Sequence, residues 1–214
     1  MFVRRVTRDD LPEILEIAST AFKHDELYTW IYPYQTKHLD DFKRMQLIHL
    51  RTRLVSVGNH GFVTVTEEKD PYWSGTPEVT GFAFYVRNGK DKAGEKWRTD
   101  SLFNKLERHL LSWEMSYETR FLNRASDPAR VKAFMGAGKT HWDLYNPLDP
   151  RWHLGTIAIS TSHQHRGPGD MLLDVGQRLA DVDSVPLTLE ASIVGRAWTL
   201  PELGGSSSGR KASH

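Results

Sequence analysis

The sequence contains no cysteine, which removes disulfides, thiolate metal ligands and a cysteine nucleophile together. It has no run of the ~18–20 apolar residues that a membrane-spanning helix needs. Its first residues, Met1-Phe2-Val3-Arg4-Arg5, carry no apolar stretch of the secretory kind. The protein is read on that basis as soluble and cytoplasmic, with no membrane partner. A dominant charge is missing as well: 28 Lys and Arg against 27 Asp and Glu leave a net charge of +1, so a general nucleic-acid-binding surface is not expected. The ten histidines lack metal-ligand spacing, and no metal site is expected.

What is present is a chain of 214 residues, enough for one sizeable α/β domain with its own core. A short strand around Val3–Val6 leads to Asp9-Asp10-Leu11-Pro12-Glu13, where an acidic cap and an early proline open a helix. Leu11, Ile14, Leu15, Ala18, Ala21 and Phe22 carry its apolar stripe. Residues 23–36, rich in aromatics around Pro33, read as a loop with a short helix, and 38–56 as a longer helix ending near Gly58. Residues 61–67 and 79–86 are β-rich and separated by a turn-forming segment, which suits a hairpin. From Asp91 to about Phe134 the pattern is helical again, with Leu102, Phe103, Leu106, Leu110, Leu111 and Trp113 at helical spacing, then a short helix opened by Asp127-Pro128. The segment 91–150 reads as a helical insertion between sheet elements. Asn146-Pro147-Leu148-Asp149-Pro150 halts regular structure before 152–159, a nearly continuous apolar run of the buried-strand kind. A helix over 168–181 and a strand over 187–191 follow. The last eleven residues, 204–214, are mostly Gly, Ser and charge, and are expected to be a disordered tail behind a single domain over 1–203.

Two segments could hold phosphate. Ala133-Phe134-Met135-Gly136-Ala137-Gly138-Lys139-Thr140 fits a nucleotide-binding loop only if alanine replaces its first glycine, and a charged stretch precedes it where a buried strand is required. A helix end capped by Gly136 or Gly138 is the plainer expectation. The stronger candidate is Gln164-His165-Arg166-Gly167-Pro168-Gly169-Asp170, immediately before a helix whose Leu172, Val175 and Leu179 share a face. Free N–H groups and the positive dipole end at a helix start attract anions, and glycine lets them approach the main chain. Pro168 in the first turn gives up no needed donor. Arg166 and His165 could add side-chain donors, and Gln164 could position the loop. A plain strand-to-helix turn explains the same glycines.

Gln164, Gly167 and Gly169 match the three fixed positions of Gln/Arg-x-x-Gly-x-Gly/Ala, the acetyl-CoA signature of the GNAT family of N-acetyltransferases, which the chain resembles. The resemblance takes in the strand before, Trp152-His153-Leu154-Gly155-Thr156-Ile157-Ala158-Ile159. It continues after the loop in Leu187-Thr188-Leu189-Glu190-Ala191-Ser192, similar to fungal-type members. It implies a mixed central α/β sheet flanked by helices, acetyl-CoA as acyl donor, and direct acetyl transfer to a primary amine, either a small molecule or a lysine side chain. A homodimer is compatible with it. By position it implicates Ile157, Ala158 and Ile159, where the fourth and fifth strands splay around the pantetheine arm, and the segment 91–150 in shaping the acceptor site.

Acyl transfer to an amine needs a proton acceptor and donors for the developing oxyanion. His153 at the start of the fourth strand is one candidate, with an ordinary pKa near ~6.5 suited to proton transfer. Glu190 on the neighbouring strand is the other. Asp25 and Glu26 are weaker candidates, for recognising a cationic acceptor. The sequence departs from the family after this point: 195–205 holds no tyrosine where the family places one, with Thr199 nearest, and no segment reads as the expected C-terminal hairpin. A non-catalytic CoA-binding or protein-interaction module is therefore carried as the alternative.

Overall fold

A computed structural model of the chain describes residues 1–145 and 148–190, with the backbone alone for 138–145. Five strands form one mixed sheet in the order β1-β2-β3-β4-β5, the α/β architecture expected from the sequence. They are β1 (Phe2–Arg5), β2 (Asn59–Val65), β3 (Val79–Asn88), β4 (Arg151–Ile159) and β5 (Leu187–Leu189). The first four pair antiparallel in sequence order, and β5 joins β4 in parallel. A parallel neighbour needs a crossover, which α7 (Pro168–Asp183) supplies.

The faces of the sheet follow the two-residue period of its strands. On one side Val63, Phe82, Phe84 and Ala158 pack with Ile14, Ile17 and Ala18 of α1 (Leu11–Ala21) and Leu50 of α3 (Leu39–Val55). On the other, Phe62, Ala83, Tyr85, Trp152 and Leu154 pack with Leu172 and Ala180 of α7. A third cluster joins α3 to α2 (Glu26–Ile31) and α5 (Leu102–Tyr117) through Tyr32, Phe42, Met45, Ile48 and Leu111. The short α4 (Lys92–Glu95) and α6 (Pro128–Tyr145) complete the helices between β3 and β4.

Several elements differ from expectation. The opening of α1 begins a turn earlier, at Thr7: Asp10 accepts hydrogen bonds from the Thr7 N–H (2.7 Å) and hydroxyl (2.9 Å) and pairs with Arg4 (2.7 Å). The helix from Pro128 does not stop at Gly136 or Gly138 but runs through both to Tyr145. Residues 133–140 are thus helix interior rather than a phosphate loop. The last strand is shorter than 187–191 and ends at Leu189. Expectations for 195–205 and for the tail 204–214 fall outside the described residues, and no described helix is long and apolar enough to cross a membrane.

Candidate functional site

The site begins with one extra residue in β4. Tyr85 pairs with Leu154 but Phe84 pairs with Thr156, so Gly155 has no partner of its own on β3. This is a β-bulge, and it inverts the parity of the strand. Trp152 and Leu154 face the α7 core before it, and Ile157 and Ile159 face the same core after it. The parallel pairing with β5 stops at the same place: Trp152, His153 and Leu154 pair with Leu187, Thr188 and Leu189. Among the described residues, the β5-side edge of β4 from Gly155 to Ile159 is without a strand partner. Its backbone N–H and C=O groups need hydrogen bonds from elsewhere.

That open edge runs directly to the Gly-rich loop. After a single turn of 3-10 helix at Thr161–His163, the chain passes His165 at φ 61° and Gly167 at φ 96° and enters α7. Left-handed backbone at His165 is disfavoured for a residue with a Cβ, whereas Gly167 accepts it freely. No side chain caps α7, and its first main-chain bond runs from the Met171 N–H to the Gly167 carbonyl at 3.1 Å. The N–H groups of Gly169 and Asp170 lie ahead of that bond and point out of the helix start. A Cβ on Gly167 would meet nothing within 4 Å, and one on Gly169 only Ile159 Cγ1 at 3.8 Å. The space is a cavity of about 430 Å³ between Ile159, His163 and residues of the loop through Asp170.

Gln164, His165, Arg166, Gly167, Pro168, Gly169 and Asp170 are therefore together, with Ile159 on their rim and Ile157 and Ala158 on the edge that leads to them. Pro168 is buried, while Gln164, His165, Arg166 and Asp170 are exposed. Two neighbours have no signal in the sequence. Tyr72, from the β2–β3 connection, lies under the Arg166 guanidinium, 3.7 Å from ring centroid to Cζ. His163 is buried, meets Tyr72 edge-on and bonds Ser162 through Nδ1 at 2.9 Å. Its Nε2 is buried without a hydrogen-bond partner.

The two candidate proton acceptors sit apart from this loop. His153 is buried, its Nδ1 3.1 Å from the Thr188 hydroxyl. Six residues separate it from Ile159, roughly 20 Å along a strand. Glu190 is exposed just past the end of β5. The two flank the last β4–β5 pair, one from each strand. Asp25 does a different job from the one expected: its carboxylate caps α2 by accepting from the Leu27 and Tyr28 N–H groups at 3.0 and 3.1 Å.

No family model matches the sequence, and no curated protein matches it. Solved structures are similar in fold. A protein described as histone acetyltransferase HPA2 and related acetyltransferase, from Corynebacterium glutamicum, is 21% identical, with 89% of this chain and 76% of that one covered and a TM-score of 0.46. An aminoglycoside antibiotic 6'-N-acetyltransferase from Acinetobacter haemolyticus is 9% identical, with 97% and 99% covered and a TM-score of 0.46. A GNAT family acetyltransferase from Brucella melitensis, solved with acetyl-CoA, is 11% identical, with 87% and 73% covered and a TM-score of 0.40.

Proposed function

We propose that the protein is an N-acetyltransferase that takes its acetyl group from acetyl-CoA and passes it directly to a primary amine. The observation that carries this reading is the continuity of three features. Among the described residues the β4–β5 pairing ends at the Gly155 bulge, the β4 edge beyond it is open, and that edge leads to an uncapped helix start with glycines where phosphate would lie. On this reading the main chain of Ile157, Ala158 and Ile159 pairs with the amide-bearing pantetheine arm. The N–H groups of Gly167, Gly169 and Asp170 hold the pyrophosphate, with His165 and Arg166 at its rim and Gln164 and Pro168 shaping the turn.

The donor supplies a thioester: the amine nitrogen bonds to the acetyl carbon as the carbon–sulfur bond breaks, and the proton leaving nitrogen is balanced by one gained at sulfur. Glu190, exposed beside the splay, is proposed to receive the proton from the amine. His153, tied to Thr188, is proposed to keep the strand ends aligned there. The burial of His153 is what favours the alternative, a CoA-binding or interaction module without catalysis. Action as a homodimer in the cytoplasm is part of the proposal.

Calorimetric titration with acetyl-CoA, and Mg-ATP as control, tests the donor. Saturable binding by the wild type is expected, reduced at least about tenfold by Gly169→Asp, which sets a carboxylate where phosphate should lie. The added Cβ has room, so the variant should melt with the wild type. Folded wild-type protein that ignores acetyl-CoA sinks the proposal. Binding without release of CoA across an amine panel would establish the non-catalytic alternative instead.

A further inference from the structure

The bulge has a second neighbour, on the α3 side of the sheet. Arg53 Nη1 lies 2.8 Å from the position a Cβ on Gly155 would take, so the guanidinium occupies the space that glycine leaves. Around it stand Tyr28 of α2 and His49 of α3, both close enough to feel its charge. Water reaches this group: His49 is exposed, and Arg53 and Tyr28 are only half-buried. The protein around them nonetheless pulls the Arg53 pKa below its ordinary value by desolvation, and desolvation with the Arg53 charge draws His49 down to about 4.

Arg53 is charged at any working pH, and a half-buried cation calls for a counter-ion. None of the described carboxylates supplies one. Asp25, the acid nearest Tyr28, is committed to capping α2. Ion pairs elsewhere on α3 join Asp41, Lys43, Arg44 and Arg51 to other partners. The donor's phosphates would not reach it either. Gly155 is four residues from Ile159, roughly 13 Å along the strand, and Arg53 lies on the α3 side of the sheet, away from α7.

We propose that Arg53, at the Gly155 bulge, binds the anionic group of the acceptor, an amine that also carries a carboxylate. The inference rests on reading the β4–β5 splay as the place of transfer. Arg53 offers the carboxylate a forked pair of donors beside the Gly155 backbone, where the β4–β5 pairing ends. A polycationic acceptor is repelled from the same position.

The test uses the full chain saturated with CoA and titrated with N-acetylated amines in matched pairs, N-acetylglycine against its amide and N-acetylphenylalanine against its amide. In at least one pair the carboxylate should bind about tenfold or more tighter than its amide. Arg53→Gln should abolish the preference and Arg53→Lys keep part of it, with acetyl-CoA affinity and melting temperature unchanged in both. Equal affinity within pairs, no carboxylate binding, or a preference that survives Arg53→Gln overturns the proposal. Failure of the donor reading is seen separately, in the acetyl-CoA titration run without acceptor.

An independent observation concerns α5, which carries apolar residues on both faces. Leu111 is buried against α3, flanked by ion pairs of Glu107 with Arg8 (2.6 Å), Glu114 with Arg51 (3.0 Å) and Arg108 with Asp100 (2.6 Å). Phe103, Leu106, Leu110, Trp113, Tyr117 and Phe121 face solvent along α5 and the turn after it, Phe103 at 83% and Trp113 at 74% exposure. Their spacings alternate between three and four residues as far as Tyr117, as in the seam of a coiled coil, and Phe121 follows four residues on. Six such side chains offer on the order of 800 Å² of apolar surface, the share one partner gives to a standard interface.

We infer that a second copy of the chain covers this seam, since a helix that meets its own symmetry mate presents one self-complementary face to both. Light scattering on the full chain at about 100 µM should report a dimer. Trp113→Glu should report a monomer with the far-UV circular dichroism of the wild type, melting below it by the stability that association supplies. A monomeric wild type, or a dimer that Trp113→Glu leaves intact, overturns the inference.

Discussion

Among single residues, Asp183 ties together the largest number of elements. Its side chain is fully buried at the end of α7, pairs with the equally buried Arg87 of β3 at 2.9 Å and with Lys96 beyond α4 at 2.9 Å, and accepts from Trp152 Nε1 of β4 at 3.1 Å. Burial alone would raise its pKa, but hydrogen bonds from Lys96, Arg87 and Trp152 outweigh it and hold the group at about 2. The folded pKa therefore lies below the unfolded one, near ~3.9. The stabilisation from this carboxylate is complete above the unfolded value and is lost as pH falls through the folded one. Asp183→Asn takes one of two carboxylate partners from the buried Arg87, which keeps Asp91 at 2.7 Å, and should cost about 1.5–3 kcal/mol. The gap in melting temperature between wild type and variant should hold steady above about pH 5 and narrow below about pH 4; a gap that widens on acidification would contradict the assignment.

At the scale of elements, the packing of α7 on β3 depends on an absent side chain. A Cβ on Gly176 would fall 2.4 Å from Tyr85 Cε1 and 2.6 Å from its Cζ. Tyr85 has no room to yield, because it is fully buried and its hydroxyl donates to the Leu172 carbonyl at 2.8 Å. Gly176→Ala should destabilise the fold by about 1–3 kcal/mol despite the better helix propensity of alanine; a melting temperature at or above that of wild type would show the contact to be looser than drawn. The element α7 was legible in advance because Gly167-Pro168-Gly169 and the Leu172, Val175, Leu179 stripe are local signals. So were the β2–β3 hairpin and the apolar β4. The bulge was not, although a lone glycine inside an apolar strand is its usual mark, because an extra residue has meaning only against the strand it faces. The run of α6 through Gly136 and Gly138 escaped for a related reason: glycine weakens a helix by about 1 kcal/mol without forbidding it. In α5 the apolar stripe was plain in the sequence, but periodicity gives a face and not what the face meets. Tyr72 and Arg53 come to the site from loops and helices far along the chain, which no spacing rule connects.

At the scale of the whole molecule, the proposed donor site joins parts that otherwise belong to different layers. The sheet edge at β4 holds one half and the start of α7 the other, with the β2–β3 connection brought in through Tyr72 and Arg166. A ligand bound along this line bridges them, and its free energy of binding adds to the stability of the folded state alone. At about a hundred times its dissociation constant, acetyl-CoA should contribute about 2.7 kcal/mol, which for a chain of this size raises the melting temperature by roughly 5–10 °C. Hydrogen exchange locates the effect. Protection should rise at the amides of Gly167, Gly169 and Asp170 and along Thr156–Ile159, whose outward groups have no strand partner among the described residues. The β1–β2 pair, already bonded along its length, should change little. Protection gained at β1–β2 and not at the loop would place the ligand on the opposite side of the sheet. The open β4 edge would then be a route for strand addition from another chain, not a binding cleft.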